Sequence, residues 1–155
     1  MRVGLGFDVH AFGGDGPLVL GGVTVEGPGL AGHSDADVVA HAVADALLGA
    51  ACLPDLGTLF PAADDRYAGA DSMILLADVA GRLTAAGYEV GNVDVVIVAE
   101  QPMLAGDIPA MVKNLERVVG GSVSVKPKRG EGLGAIGRAE GIAALAVALL
   151  QPIPR

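Results

Sequence analysis

The sequence predicts a single α/β domain, because segments that alternate like strands are interleaved with segments of helical periodicity. The chain has 155 residues, a length that suits one domain over residues 1–155 and can bury a substantial core. Its 24 glycines are scattered without a period, so they indicate turns and close backbone approaches rather than a linker.

Five segments have the patterns of strands. Residues 2–10 alternate strictly, with Val3, Leu5, Phe7 and Val9 on one face and Gly4, Gly6, Asp8 and His10 on the other. The other segments are 18–25, bulged at a pair of glycines, and 88–99, 123–126 and 142–149. In the last of these, large apolar residues alternate with alanines, which favours a strand buried on both faces, with a helix as the alternative. We expect a mixed sheet of about four main strands.

Three helices are predicted, over residues 34–51, 71–86 and 108–119. Ser34 is the expected N-cap of the first, and Asp37 completes a capping box three residues later. We expect the helices to pack on one face of the sheet. Residues 54–65 and the glycine-rich, basic residues 126–138 are expected to be loops.

The composition excludes several classes of partner. Ten basic residues face eighteen acidic ones, a net charge of −8, and no basic stripe is present, so we expect no binding of nucleic acid or anionic lipid. Cys52 is the one cysteine, and residues 1–10 lack the apolar run of a signal peptide. The longest apolar run, 141–150, is too short to span a bilayer. We therefore expect a cytoplasmic protein.

Asp8 and His10 are two residues apart on the first strand, so both side chains leave the same face. A carboxylate and an imidazole offered together suit a borderline metal ion such as zinc. His41, on a polar stripe of the first helix, is the best candidate for a third ligand. The alternative is that a histidine at a strand end only completes a hydrogen bond. Asp45 either orients His41 or is a surface residue one turn later.

Two further segments could bind anions. His33 and Ser34 precede the first helix, where free backbone N–H groups form a natural anion site. A solvated, well-capped helix start explains the same segment, with Asp35 and Asp37 as first-turn acids. In the loop at 126–134, cations beside glycines could wrap phosphates and present Glu131 to a metal ion. A flexible, solvated turn is the alternative for this loop.

Short segments along nearly the whole chain form an ordered series: RVGLGFDVH at 2–10, GHSDAD at 32–37, HAVADALLG at 41–49, DLGTLFP at 55–61, GADS at 69–72, GNVD at 91–94 and GRAEG at 137–141. Each is weak alone, but their order and spacing together are highly specific. In these segments the sequence resembles the 2-C-methyl-D-erythritol 2,4-cyclodiphosphate synthase family of the non-mevalonate isoprenoid pathway.

The resemblance implies an enzyme, a phosphorus–oxygen lyase. Its substrate would be 4-diphosphocytidyl-2-C-methyl-D-erythritol 2-phosphate, whose 2-phosphate attacks the β-phosphorus of the cytidine diphosphate arm and releases CMP. Such a reaction needs two phosphates held in line and their charge neutralised, without a protein nucleophile. The resemblance also implies a homotrimer with active sites shared between subunits, and a central cavity that could hold an isoprenoid diphosphate.

Residue roles follow from the matched positions. Asp8, His10 and His41 match zinc ligands, with a substrate phosphate oxygen as the fourth ligand, and they are the expected catalytic residues together with His33. Glu131 matches the ligand of a second metal ion, magnesium or manganese, that bridges the diphosphate. The other implied substrate contacts are His33 and Ser34 at the 2-phosphate, Asp55 and Gly57 at the erythritol hydroxyls, Asp64 in a loop, Ala99 and Pro102 at the cytosine, and Arg138, which lies with Phe7 and Glu140 near the trimer centre.

The chain departs from the family pattern in its last loop, where Lys128, Arg129 and Gly130 replace the usual threonines, and at Ala135, which replaces an aromatic residue. We hypothesise that Arg129 or Lys128 clamps the diphosphate, since a guanidinium gives stronger hydrogen bonds than a hydroxyl. The alternative is that both side chains point to solvent. Two other functions fit the sequence: a metal-dependent phosphohydrolase of nucleotide diphosphates, and a non-catalytic isoprenoid-binding trimer.

Overall fold

A computed structural model describes residues 1–154. The strands are β1 (Arg2–Gly14), β2 (Leu18–Leu20), β3 (Val23–Val25), β4 (Gly29–Leu30), β5 (Tyr88–Val98), β6 (Ser122–Lys128) and β7 (Gly141–Pro152). The helices are α1 (Val38–Ala51), α2 (Leu56–Leu59), α3 (Ser72–Ala85), α4 (Ile108–Val119) and α5 (Gly134–Gly137), with a 3₁₀ turn at Asp65–Tyr67.

The main sheet has the strand order β4-β1-β7-β5-β6. β5 and β6 pair in parallel, and the other neighbours are antiparallel, so the sheet is mixed. The α/β domain with four main strands is therefore confirmed, with the two-residue β4 as a fifth strand at the edge. β2 and β3 form a separate hairpin.

Within residues 1–154, helices cover one face of this sheet, as predicted: α1 packs on β1 and β7, and α3 and α4 contact β5 and β6. The opposite face has no helix on it and exposes large apolar side chains from its two central antiparallel strands. We call this surface the uncovered sheet face; its residues are Val3, Leu5, Phe7, Val9, Leu145 and Val147. No helix of the described residues has the length and apolar character needed to cross a membrane.

The close approach of α1 to β1 depends on two glycines. A Cβ atom at Gly4 would lie 2.0 Å from the carbonyl oxygen of Ala46, and one at Gly6 would lie 1.9 Å from that of Ala42. Any side chain at either position would therefore clash with the helix backbone. The glycine-bearing face of β1 faces α1, which leaves the large apolar residues of β1 on the uncovered sheet face.

The predicted start of the first helix is wrong. α1 begins at Val38 because Asp37, not Ser34, is its N-cap, with a carboxylate that accepts the N–H groups of Val39 and Ala40 at 3.1 and 3.0 Å. Asp37 is fully buried and also accepts the N–H groups of the turn between β2 and β3. Neither Asp35 nor Asp37 is therefore a first-turn acid.

Other local predictions also need correction. Residues 18–25 form a hairpin rather than a bulged strand, because Gly21 and Gly22 adopt φ angles of 56° and 70° that suit a two-residue turn. The predicted loop at 54–65 contains α2, and the loop at 126–138 contains the end of β6 and the whole of α5. β7 is buried on one face rather than two, because no helix covers Leu145 and Val147.

Candidate active site

The predicted metal ligands meet where the polar end of β1 passes the start of α1. Gly6 touches the helix at Ala42, and the next two residues on that face of β1, Asp8 and His10, reach His41. Among His, Cys, Asp and Glu residues in 1–154, these three are the group whose ligand atoms lie together, all within 4.8 Å of one another. The expectation that they form one cluster is confirmed.

The donor atoms have a spacing that suits a metal ion. Asp8 Oδ2 lies 2.9 Å from His10 Nε2 and 2.9 Å from His41 Nδ1, and the two nitrogens are 3.3 Å apart. A tetrahedral zinc ion with bonds of roughly 2.0–2.1 Å holds its ligand atoms about 3.4 Å apart. One carboxylate and two imidazoles at this spacing fit zinc after a small outward movement.

Each histidine ring is held from its outer side. His10 Nδ1 donates to the carbonyl oxygen of Ala31 at 2.9 Å, so this nitrogen carries a proton and Nε2 is left for Asp8 or for a metal ion. The outer nitrogen of His41, Nε2, lies 2.8 Å from Ser72 Oγ and 3.1 Å from Ser34 Oγ. The nitrogens that face Asp8 are thus the ones available to bind a metal.

The electrostatics favour a cation between these groups. Burial raises the pKa of Asp8, but hydrogen bonds from His10 and His41 outweigh burial and hold that pKa well below its ordinary value. The hydrogen bond to Asp8 raises the pKa of His10 above its ordinary 6.5, although burial opposes this. A carboxylate that is ionised at neutral pH therefore lies between two rings that can exchange an inner proton for a metal ion.

The three side chains line a cavity of about 300 Å³, which we call the metal cavity. Three other predicted site residues line it as well: His33, Ser34 and Gly57. Asp45 lies in the same wall, where its carboxylate accepts the N–H of Leu56 at 2.8 Å. Burial raises the pKa of Asp45. The contact of Asp45 is therefore with α2, which it holds beside the metal ligands.

Asp55 and Asp64 are outside the group of residues that lines the metal cavity. Asp55 is the N-cap of α2 and accepts the N–H of Thr58 at 2.8 Å, which lowers its pKa. The carboxylate of Asp64 is taken up by the guanidinium of Arg66, with contacts of 2.6 to 3.0 Å, and this ion pair lowers the pKa of Asp64. Each carboxylate is thus engaged by a residue that does not line the metal cavity.

Ala99 and Pro102 line a second cavity, of about 140 Å³, together with Lys128 and Arg129. The Arg129 guanidinium forms an ion pair with Glu100, donating from Nε to Oε1 at 3.1 Å and from Nη2 to the same oxygen. This hydrogen bonding holds the pKa of Glu100 below its ordinary value. The other carboxylate oxygen of Glu100, Oε2, is buried and has no hydrogen-bond partner within residues 1–154.

Glu131 and Arg138 line neither cavity. Glu131 is exposed in the loop between β6 and α5, where its φ angle of 53° lies in the left-handed region. Arg138 is exposed and donates from Nε to Glu140 at 2.6 Å. A single chain therefore brings the predicted zinc ligands together with His33, Ser34 and Gly57, and it keeps the remaining predicted site residues apart from them.

Sequence comparison decides which family this architecture belongs to. The sequence model of the YgbB family matches residues 1–151. The chain belongs to the YgbB family. The 2-C-methyl-D-erythritol 2,4-cyclodiphosphate synthase of Verminephrobacter eiseniae is 51% identical over 160 residues, covering 99% of this chain and 87% of the relative. The synthase of the same name from Erwinia tasmaniensis is 52% identical, covering 97% of this chain and 98% of the relative.

Solved structures show the same fold. The bifunctional IspDF of Campylobacter jejuni superposes with a TM-score of 0.94 at 40% identity, covering 98% of this chain and 42% of that protein. The IspF of Plasmodium falciparum in complex with CDP superposes with a TM-score of 0.85 at 33% identity, covering 99% of this chain and 97% of that one. The fold and the sequence thus identify the same family of synthases.

Three residues around the sites were not singled out by sequence reasoning for the contacts they make. Ser72 and Asp35 form a hydrogen-bonded chain that ends on His41, and Glu100 pairs with Arg129. Ser72 and Asp35 lie in two of the segments that carry the resemblance to the synthase family, but they are 37 residues apart in sequence. Glu100 and Arg129 are 29 residues apart. No local pattern joins such partners; the strand and helix order has to be known first.

Proposed function

We propose that this chain converts 4-diphosphocytidyl-2-C-methyl-D-erythritol 2-phosphate into 2-C-methyl-D-erythritol 2,4-cyclodiphosphate and CMP. The observation that carries the proposal is the meeting of Asp8, His10 and His41 in one cavity of a chain that belongs to the YgbB family. Curated relatives bear the name of this synthase, and two related solved structures are described as CDP complexes.

The reaction needs positioning and charge neutralisation rather than a protein nucleophile. An oxygen of the 2-phosphate forms a bond to the β-phosphorus, and the bond from that phosphorus to the bridging oxygen breaks. CMP leaves with the bridging oxygen, and the two phosphates close the ring. Holding both groups in line makes the attack effectively unimolecular, and cations offset the negative charge that accumulates.

Zinc is the proposed ion at Asp8, His10 and His41, since one carboxylate and two imidazoles form a three-ligand set with room for a substrate oxygen. When bound, the ion would draw charge from a phosphate oxygen as a Lewis acid. His33 and Ser34 line the same cavity and are proposed to hold the 2-phosphate by hydrogen bonds. His33 completes the proposed catalytic set, and Gly57 is proposed to lie beside the erythritol hydroxyls.

The remaining roles are proposals for residues outside the metal cavity. Asp55 is proposed to bind the erythritol hydroxyls, using the carboxylate oxygen that does not cap α2. Asp64 would have to leave Arg66 before it could contact substrate. Ala99 and Pro102 are proposed to bind cytosine, because they line a small cavity at the end of β5. Glu131 is proposed to bind magnesium or manganese, for which an exposed carboxylate is a suitable ligand.

The proposed assembly is a homotrimer whose active sites lie between subunits. The uncovered sheet face supports this, since a contiguous set of exposed apolar side chains marks an interaction surface. The separate lining of the metal cavity and the second cavity is also what a shared site requires. An isoprenoid diphosphate near Arg138 at the trimer centre stays a prediction.

Metal omission tests the proposed function. The full chain, stripped of metal and incubated with the substrate, should release CMP after zinc and magnesium are both restored, and much more slowly with either alone. Chromatography of CMP measures the release. Release that proceeds equally well without added metal would contradict the proposal. No observation favours the phosphohydrolase alternative over the cyclase.

A further inference from the structure

Ser72 and Asp35 form a set of hydrogen bonds on the side of His41 that faces away from Asp8. Ser72 is 1% exposed, and within residues 1–154 it and Asp37 are the fully buried polar side chains. Its hydroxyl oxygen lies 2.8 Å from His41 Nε2. Its hydroxyl proton goes to Asp35 Oδ1, and its backbone N–H donates to Asp35 Oδ2 at 3.1 Å. Ser34 Oγ is a third neighbour of this hydroxyl, at 3.3 Å. A buried hydroxyl whose proton goes to a carboxylate oxygen has a defined direction.

The proton positions along the hydrogen bonds from His41 through Ser72 to Asp35 follow from Asp35. The two carboxylate oxygens of Asp35 accept the hydroxyl and the backbone N–H of Ser72, so the Ser72 hydroxyl proton is directed at Asp35. The Ser72 oxygen is then turned towards His41 as an acceptor, and His41 Nε2 must carry the proton between them. Nδ1, which faces Asp8 at 2.9 Å, is left as the nitrogen that exchanges its proton for a metal ion.

We infer that Ser72 and Asp35 are positioning residues that fix the outer nitrogen of His41 as a hydrogen-bond donor and its Nδ1 as the metal ligand. This inference rests on the proposed metal role of Asp8, His10 and His41. Ser72 and Asp35 would hold the His41 ring as the Ala31 carbonyl holds the His10 ring, but with two hydrogen-bonded side chains instead of one backbone group. Partners of this kind commonly change metal affinity by roughly ten- to a hundredfold.

The same contacts tie the metal site to the segment before α1. Asp35 donates its N–H to the Ala70 carbonyl at 3.0 Å, and the Gly69 N–H reaches the His33 carbonyl at 2.8 Å. The start of α3 is thus joined to the residues proposed to bind the 2-phosphate. The orientation of His41 and the position of His33 depend on one hydrogen-bonded unit.

Zinc affinity of the full chain, measured by competition with a chelator, tests the inference. Ser72→Ala should bind zinc roughly ten- to a hundredfold more weakly. Asp35→Asn should show a smaller loss, because the amide can either accept from Ser72 or donate to it. Ser34→Ala should lose less than Ser72→Ala, since Ser34 Oγ is further from His41 Nε2, at 3.1 Å.

Asp71→Asn is the matched control. Asp71 precedes Ser72 and caps α3 by accepting the Met73 N–H at 2.8 Å. Its substitution therefore perturbs the same helix start without removing a contact to His41. Its zinc affinity should equal that of the unaltered chain. Equal losses in Asp71→Asn and Ser72→Ala would mean that the helix start, and not the hydrogen bond, matters, and would overturn the inference.

A spectroscopic readout separates orientation from stability. In the zinc-loaded chain, the Nε2–H of His41 should exchange slowly with solvent, as seen by NMR of ¹⁵N-labelled imidazoles, and Ser72→Ala should make that exchange fast. Unchanged zinc affinity and unchanged exchange in Ser72→Ala would overturn the inference. That result would leave the proposed function standing, because the proposed function is tested separately by the metal dependence of CMP release.

Discussion

The metal cavity and the second cavity differ in how far one chain completes them. In the metal cavity, both histidine rings are held by outer hydrogen bonds, and Asp8 lies between their inner nitrogens. In the second cavity, the exposed Arg129 pairs with Glu100, whose Oε2 is buried without a partner in residues 1–154. A buried oxygen without a hydrogen bond is costly, and the backbone of Gly130 and Gly132 lies close enough to help lower the pKa of Glu100. One cavity is organised before substrate arrives, and the other is not.

The largest effect is expected at the organised cavity. His41→Ala removes one of three donors, so the chain should lose bound zinc and all measurable activity. Zinc per chain is measured by atomic absorption after dialysis. His33→Ala is the control, because His33 lines the cavity without joining the donor cluster, and it should keep the metal. One zinc per chain in His41→Ala would show that the ligand assignment is wrong.

Disrupting the proposed trimer should abolish activity as completely as losing a metal ligand, because the second cavity is not completed by one chain. Leu5→Glu places a charge on the uncovered sheet face, so it should convert the proposed trimer to monomers and abolish activity at nanomolar concentration. Ile74→Glu is the control: Ile74 is as exposed as Leu5, 67% for each, but lies on α3. Light scattering gives the mass. An active monomer in either case contradicts the shared-site account.

Acid should weaken metal binding before it affects Asp8. Zinc needs His10 without its inner proton, and the pKa of His10 is raised above 6.5 by Asp8. Zinc affinity should therefore begin to fall above pH 6.5 as the pH is lowered, by up to roughly tenfold per pH unit for this one proton. The pKa of Asp8 lies far below this range, so its carboxylate stays ionised. Affinity that is constant from pH 7.5 to about 5.5 would contradict the His10 assignment.

A smaller effect is expected at the second cavity. Arg129→Ala should lower turnover roughly tenfold if the guanidinium turns from Glu100 to the diphosphate, because a charge-assisted hydrogen bond is lost. The zinc content and the mass of the proposed trimer should not change. Arg117→Ala is the control, since Arg117 is exposed and bonds Asn114 on α4. Unaltered kinetics in an Arg129→Ala, Lys128→Ala double variant would show that the clamp does not exist.

Features that depend on local periodicity could be predicted from the sequence, and contacts between residues distant in sequence could not. Alternation placed Asp8 and His10 on one strand face, and the order of strands and helices gave the mixed sheet, because both depend on local periodicity. The start of α1 was misplaced because Asp37 caps the helix while bonding the turn at Gly21 and Gly22, a contact that sequence distance hides.

The apolar face of β1 is exposed, which the alternation of its residues alone does not predict. An apolar face usually points to the core, but here Gly4 and Gly6 meet α1 and Leu5 points outwards. Glycines allow the helix backbone to approach, so the smallest residues occupy the most crowded side. The roles of Glu131 and Arg129 could not be settled in this way, since both lie on a loop whose partners are not neighbours in sequence.

The central claim is that the 2-phosphate of the substrate, and not water, attacks the β-phosphorus. Whether oxygen from the solvent enters the products tests this claim most directly. The full chain is incubated with the substrate, zinc and magnesium in ¹⁸O-labelled water, and the products are weighed by mass spectrometry. Internal attack by the 2-phosphate predicts a cyclic diphosphate and CMP, both without ¹⁸O. An open-chain phosphate product or CMP carrying one ¹⁸O atom, with no cyclic diphosphate, would show that water is the nucleophile and would contradict the account.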